Sequence, residues 1–579
     1  MLKLVKYLKD YIKETIIGPL FKLLEACFEL IVPLVMANII DIGIKNNDTG
    51  YIFKMGGIMI LLGILGLVCS LTAQYFAAKA ALGFGTALRN EMFSHINSLS
   101  FSEIDKIGTS TLITRLTSDI NQAQVGVNLV LRLFLRSPFI VVGAIIMALS
   151  INARLTLIFL VVTLFISVVI YFIMSSSIPH YKNVQNKLDR VSLLTRENLT
   201  GVRVIRAFSR QKDEIKRFEE SVDDLAKTQL LVGKISALLN PATYTILNAG
   251  IIAVIWFGGF SVYGGNNTQG EVIALVNYMS QILLALLALA NLIIAITRAS
   301  ASAIRINEVF AVTSSMNEGA DFSQKNINNS APKVEFRNVS FSYNEAEEDA
   351  LSDISFTAEN GETIGIIGGT GAGKSTLVNL IPRFYDVTGG EVLIDGINVK
   401  EYPFSELRRK ISVVPQKTVL FSGTIRENMQ WGKKDATDEE IYKALEIAQA
   451  RDFVDVKPEG LDTVILRGGR NLSGGQRQRL TIARALVAQP EILILDDSAS
   501  ALDFATDLRL RRALKNLAPK ITVFIVSQRV SAIKNADKII VLDNGRMVGA
   551  GKHDELFETC AVYKEICLSQ LSEDEVKSQ

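Results

Sequence analysis

Long apolar runs fill the first half of the chain and stop near residue 310. Four of them, 55–78, 155–179, 235–270 and 272–297, contain no Asp, Glu, Lys or Arg. At about 1.5 Å of rise per residue, each predicts a helix able to cross roughly 30 Å of hydrocarbon. Two further runs are less clean: 16–42 carries Lys22, Glu25 and Glu29, and the run that includes 137–153 has Arg132 and Arg136 at its entrance. Six spans are expected, the first being the weakest. Ahead of them, residues 1–15 interleave Lys3, Lys6, Lys9, Asp10 and Lys13 with Leu, Val, Tyr and Ile, the pattern of an amphipathic helix lying on a membrane surface. No cleavable signal peptide is apparent.

Beyond residue 310 the pattern changes to short apolar strands alternating with charged helices, an α/β signature. The organisation read from this is a helical membrane domain over 16–310, a linker over 311–333 rich in Ser and Asn, an α/β domain over 334–572 opened by the strand 334–339, and a polar tail over 573–579. A hydrophobic fraction of 49% in 579 residues agrees with a membrane-embedded half.

Lys and Arg concentrate in 79–136 and 180–234, whereas 43–54, the turn near Asn152 and 264–271 are short. The positive-inside rule therefore predicts the long basic segments, both termini and the α/β domain in the cytoplasm, and the plasma membrane is the expected location. Both basic segments continue as helix-like sequence beyond the bilayer, which predicts long cytoplasmic extensions.

A net charge of +2 gives no basic field for nucleic acid. Cys27, Cys69, Cys560 and Cys567 show no ligand or CxxC spacing, and the three histidines, His95, His180 and His553, are scattered. Structural thiols, rather than disulfides or a metal cluster, are expected.

The chemistry lies in the second half. Gly368-Gly369-Thr370-Gly371-Ala372-Gly373-Lys374-Ser375-Thr376 follows the apolar strand 363–367 and precedes a helical pattern. This is a phosphate-binding loop. Its glycines let backbone N–H groups curl around phosphate oxygens, and the helix start adds positive potential. Lys374 is expected on the β- and γ-phosphates of ATP, and the Ser375 hydroxyl on Mg²⁺. Downstream, Ile492-Leu493-Ile494-Leu495-Asp496 is an apolar strand ending in a carboxylate, expected to reach the same Mg²⁺.

Between these two motifs stands Leu472-Ser473-Gly474-Gly475-Gln476. With this string the chain resembles, over nearly its whole length, an exporter half-transporter of the ATP-binding cassette family. The resemblance implies a C-terminal P-loop cassette joined to six membrane helices, and two cassettes meeting head-to-tail in a dimer. Each ATP then lies between one chain's phosphate loop and the other's signature, so that Leu472, Ser473, Gly474, Gly475 and Gln476 serve the partner. It further implies Tyr343 as the adenine-stacking aromatic, Gln416 as the glutamine that senses Mg²⁺, and Asp503 as part of the loop crossing the dimer interface. Phe101, Gly108, Leu112, Arg115, Leu116 and Asp119, with Glu197, Gly201, Arg206 and Phe208, resemble the family's coupling regions.

Two positions depart from the family pattern. Asp497 stands where the family has a water-polarising glutamate, and Gln528 where it has the switch histidine. The Asp497 carboxylate is one methylene short, and a neutral amide at 528 cannot carry a proton or positive charge. The signature itself is intact, a combination that resembles the degenerate subunit of heterodimeric multidrug-type exporters. Arg467 also replaces an acidic residue usual just before the signature. The expected function is export of amphiphilic or drug-like compounds. Alternatives are a lipid flippase, a homodimeric exporter with slow hydrolysis and, third, a nucleotide-sensing regulatory subunit. Lys22, Glu25 and Glu29 fall on one helical face, as a polar cavity lining or as charges at the headgroup boundary.

Overall fold

The computed structural model describes residues 2–319, 331–343, 348–498, 502–517 and 521–570. Residues 320–330 of the expected linker, Ser500 and Ala501, and the expected tail lie outside these residues. The chain forms two compact units: Met1–Asn97 with Ser110–Val312, and Ser98–Thr109 with the chain from Thr313 onward.

The first unit is helical throughout. Six helices, Lys3–Ile44, Thr49–Ser98, Thr109–Ile151, Ala153–Thr200, Gln211–Tyr263 and Gln269–Ala311, are long and apolar enough to cross a membrane. Most run far past the apolar stretch that marks them in the sequence, as the helix-like extensions foretold. Leu2–Tyr11 is a 3-10 helix that feeds directly into the α-helix Ile12–Asn38. Packing takes up its apolar side: Leu4 is buried and the Tyr7 ring stacks on Phe310 at 6.3 Å. The run 235–270 also divides. One helix ends at Ala237 and the next, Leu239–Tyr263, begins after Leu238. Pro241 explains the break, because it has no N–H to donate to the Ala237 carbonyl four residues back.

Thr268 then starts the last long helix, Gln269–Ala311, with a capping box to Glu271. This helix supplies much of the core. Leu275, Tyr278, Met279 and Ile282 are buried with Phe159, Ile166 and Val254, and the Tyr278 hydroxyl donates to the Leu30 carbonyl at 2.7 Å. Gly270 permits a close approach, since a Cβ there would lie 2.4 Å from the Ala37 carbonyl oxygen.

The three charges of the first span form a network. Lys22 pairs with Glu25 at 2.6 Å and donates to Ser70 at 3.2 Å, while Arg136 reaches Glu29 at 2.7 Å and Glu25 at 3.9 Å. Arg136, noted in the sequence only as the entrance to the third span, is thus the cation that balances the first.

The second unit carries the sheets. Strands β1 (Val334–Phe341), β2 (Leu351–Ala358), β3 (Thr363–Gly368), β4 (Gly389–Ile394), β5 (Ile397–Asn398), β6 (Ile411–Val414), β7 (Gly423–Thr424), β8 (Val464–Ile465), β9 (Ile492–Asp496), β10 (Thr522–Val526), β11 (Lys538–Asp543) and β12 (Arg546–Gly551) follow in order. A six-stranded sheet runs β12-β11-β3-β10-β9-β6, parallel except for β12. Near-continuous apolar strands such as Ile492–Asp496, buried at every position, suit a parallel sheet covered on both faces. A smaller antiparallel sheet, β2-β1-β4-β5, packs with it in one core through Phe336, Phe356, Ile366, Ile494 and Phe524. Four charges bridge between the sheets. Asp395, in the β4–β5 turn, binds Lys333 at 2.8 Å and Lys410 at 2.6 Å, and Glu491 joins both lysines.

Candidate nucleotide site

Adjacent parallel strands deliver the site's main groups to one sheet edge. β3 ends in the phosphate loop and β9 ends in Asp496. Their common neighbour β10 pairs Val526 with both Ile366 and Asp496, so Ser527 and Gln528 emerge beside the loop. Binding sites of open α/β sheets form at such strand ends.

The loop curls as its glycines dictate. Gly371 and Gly373 have φ of 84° and 89°, and at Gly373 a Cβ would also meet the Ala350 carbonyl oxygen at 2.7 Å. A side chain at either position would be strained. The helix Lys374–Leu380 follows directly. The Lys374 ammonium folds over the loop, donating to the carbonyls of Gly368 at 2.9 Å and Gly369 at 2.6 Å. Burial pulls its pKa below the usual lysine range, against the opposing pull of Asp497 and Asp496. Ser375 donates to Asp496 Oδ1 at 3.0 Å. Burial pushes the Asp496 carboxyl up, assisted by the Asp497 charge and resisted by the Ser375 hydrogen bond and Lys374.

These groups surround a cavity of about 310 Å³ whose lining includes Tyr343, Thr370–Thr376, Gln416, Asp496, Asp497 and Gln528. Tyr343 is placed by a 3.0 Å contact between its hydroxyl and that of Thr376. Gln416 donates to Asp497 Oδ2 at 3.3 Å. Asp497 itself has φ of 45°, and its N–H donates to the Val526 carbonyl at 2.9 Å. All the residues singled out for ATP except Gly368, with both departing positions, therefore line one cavity. Ala350, Val526 and Ser527 complete the lining. Ser527 could have been inferred from its neighbour Gln528, whereas Ala350 had no signal in the sequence.

The signature and Asp503 do not line this cavity. Ser473 caps the helix Gly474–Val487 with a capping box to Gln476, and Ser473 and Gly474 are exposed at its start. Arg467 opens a short 3-10 turn, Arg467–Gly469, in which Gly468 and Gly469 both have positive φ. Asp503 caps the helix Phe504–Lys515, accepting from the Thr506 N–H at 3.0 Å.

A cation at this site would find hard oxygen donors: the Ser375 hydroxyl, the buried Asp496 carboxylate and the Gln416 amide. Among the described residues no group of three or more His, Cys, Asp or Glu could hold a metal. That donor set suits Mg²⁺, which commonly binds one or two protein ligands together with substrate phosphates.

Residues 15–286 match the ABC transporter transmembrane region, and residues 351–500 match the ABC transporter description. An uncharacterized ABC transporter ATP-binding protein of Mycobacterium tuberculosis is 38% identical over 570 residues, 98% of this chain and 97% of that one. The chain belongs to the ABC transporter family. Its relatives in the family include an ATP-dependent lipid A-core flippase of Hahella chejuensis, 32% identical over 89% of this chain and 88% of that one. A Bacillus subtilis ATP-binding/permease protein named for multidrug export is 33% identical over 98% of each. As an ABC transporter of the exporter type, the chain is an integral membrane protein whose cassette binds ATP and couples its hydrolysis to transport.

Proposed function

We propose that this chain is the degenerate half of a heterodimeric exporter. It holds ATP at its own cavity with little hydrolysis and lends its signature to a partner half-transporter. The observation that carries the reading is that Asp497 and Gln528 line the same cavity as the phosphate loop, so both departures fall in one site. The loop amides and Lys374 bind the β- and γ-phosphates, and Tyr343 stacks on adenine. Ser375, Asp496 and Gln416 would hold Mg²⁺, which would supply neutralisation of phosphate charge. Asp497 takes the place from which an attacking water is oriented, on a side chain one methylene short. Gln528 donates to a phosphate oxygen without adding charge. Loss of general-base work alone lowers rate by about 10²–10⁴.

Ser473 and Gly474, exposed at a helix start, face the partner's γ-phosphate together with the Gly475 amide, and Asp503 lies in the loop crossing between cassettes. In this reading 334–572 is the cassette, and both termini lie in the cytoplasm of a plasma-membrane protein. The cargo is an amphiphilic or drug-like compound. The flippase and multidrug names among the relatives support an amphiphile and leave a lipid flippase as the second reading, distinguished by stimulation of ATPase activity by lipid alone.

The test is ATP binding and turnover by the full chain in lipid nanodiscs. Expected is tight ATP binding with turnover rising on Asp497→Glu with Gln528→His. Ordinary turnover by a dimer of the unaltered chain, lost on Lys374→Ala, would instead establish a homodimeric exporter.

A further inference from the structure

A helix of seven residues, Phe101–Ile107, lies between two of the long helices in the sequence yet belongs to the same compact unit as the cassette. Ser100 caps it with a capping box to Glu103. Two of its contacts meet at Tyr385. The Tyr385 hydroxyl donates to Asp105 Oδ2 at 2.7 Å, and the Phe101 ring lies 4.8 Å from Phe384 and 6.3 Å from Tyr385. On its other side, Tyr385 meets Tyr343 edge-on, with ring centres 5.3 Å apart and planes at 82°. Burial raises the Tyr385 phenol above its ordinary range, and its bond to Asp105 adds to the shift, so it remains a hydrogen-bond donor. Tyr385 also follows the short helix Lys374–Leu380 that leaves the phosphate loop.

We propose that Tyr385 is a positioning residue that transmits adenine occupancy from Tyr343 to the helix Phe101–Ile107 through its hydrogen bond to Asp105. This rests on the reading of the cavity as a site that holds ATP with little hydrolysis. At such a site occupancy itself is the signal, and a chain of contacts from base to helix reads it. A base stacked on Tyr343 fixes that ring, whose edge fixes Tyr385, whose hydroxyl holds Asp105. The triphosphate alone touches the loop and does not pack against the Tyr343 ring, which without a base is held by its Thr376 contact and its ring neighbours Phe341 and Tyr385. The base moiety of the nucleotide, rather than its phosphates, then orders residues 101–107.

The experiment is hydrogen exchange of the 101–107 backbone in the full chain in nanodiscs, with Mg-ATP, with magnesium tripolyphosphate and without ligand. ATP binding is measured in parallel. A single bonded contact predicts that ATP slows exchange there by about threefold to tenfold, with tripolyphosphate having little effect. Tyr385→Phe and Asp105→Asn, one on each side of the bond, should abolish the slowing while leaving the ATP dissociation constant unchanged. Equal slowing by tripolyphosphate, or undiminished slowing in both variants, overturns the proposal. If the unaltered chain binds no ATP, the nucleotide reading falls with it. If it binds ATP and residues 101–107 do not respond, only the relay falls.

Discussion

Asp497 accepts a hydrogen bond from the side-chain amide of Gln416 at 3.3 Å, joining positions 81 residues apart. The carboxylate that replaces the family's glutamate thus turns toward the residue expected to sense Mg²⁺. Lengthening it by one methylene should restore its reach. Asp497→Glu combined with Gln528→His is expected to raise turnover at this site about 10²-fold, measured as phosphate release with the partner's own site inactivated.

Lys374 lies across the loop carbonyls of Gly368 and Gly369. Its replacement removes the one cationic donor among the described residues of the cavity lining. A hydrogen bond to a charged group is worth about 1.5–3 kcal/mol, so Lys374→Ala should weaken ATP binding by about 10- to 150-fold. Calorimetric titration checks this.

Ser473 satisfies a helix start through its contact with the Gln476 N–H at 3.2 Å. Ser473→Ala should cost about 1 kcal/mol of local helix stability and leave ATP binding at this chain's own cavity intact. In the assembled transporter it should lower hydrolysis at the partner's site. Separate binding and turnover assays resolve the two effects.

Asp395 ties the small sheet to the large one. Burial acts to raise its pKa, but the hydrogen bonds from Lys333 and Lys410 prevail and hold the carboxyl below its usual range. A lowered acid pKa gives stability that is present above the unfolded value, about 3.9, and is lost as pH falls through the folded value. Lys410 is held above its usual range by Asp395 and Glu491 despite burial, so its share persists below about 10.4 and is lost above its folded value. Asp395→Asn should cost about 3 kcal/mol near neutrality and remove the acid-side part of the loss. Thermal unfolding between pH 3 and 7 checks both.

Arg136 balances Glu29 and Glu25 in the membrane unit. Removing it leaves two carboxylates with Lys22 alone. Arg136→Ala should lower the unfolding temperature in nanodiscs, and adding Glu29→Gln should recover part of the loss, a coupling read from a double-mutant cycle.

The linear chain determined much of this protein because its strongest signals are local. Apolar runs free of charge mark spans wherever a bilayer is the solvent, and Gly371 and Gly373 set the phosphate loop through backbone freedom that needs no distant partner. Strand Ile492–Asp496 was equally legible, since apolar residues ended by a carboxylate read the same in any parallel sheet. Pairings across long separations were not legible. No local pattern shows that Arg136 closes the Lys22–Glu25–Glu29 network, that Asp395 anchors Lys333 and Lys410, or that Phe101–Ile107 lies against Tyr385. Each depends on which helices and strands become neighbours. That choice is made by the summed packing of the core, and only the tertiary structure records it.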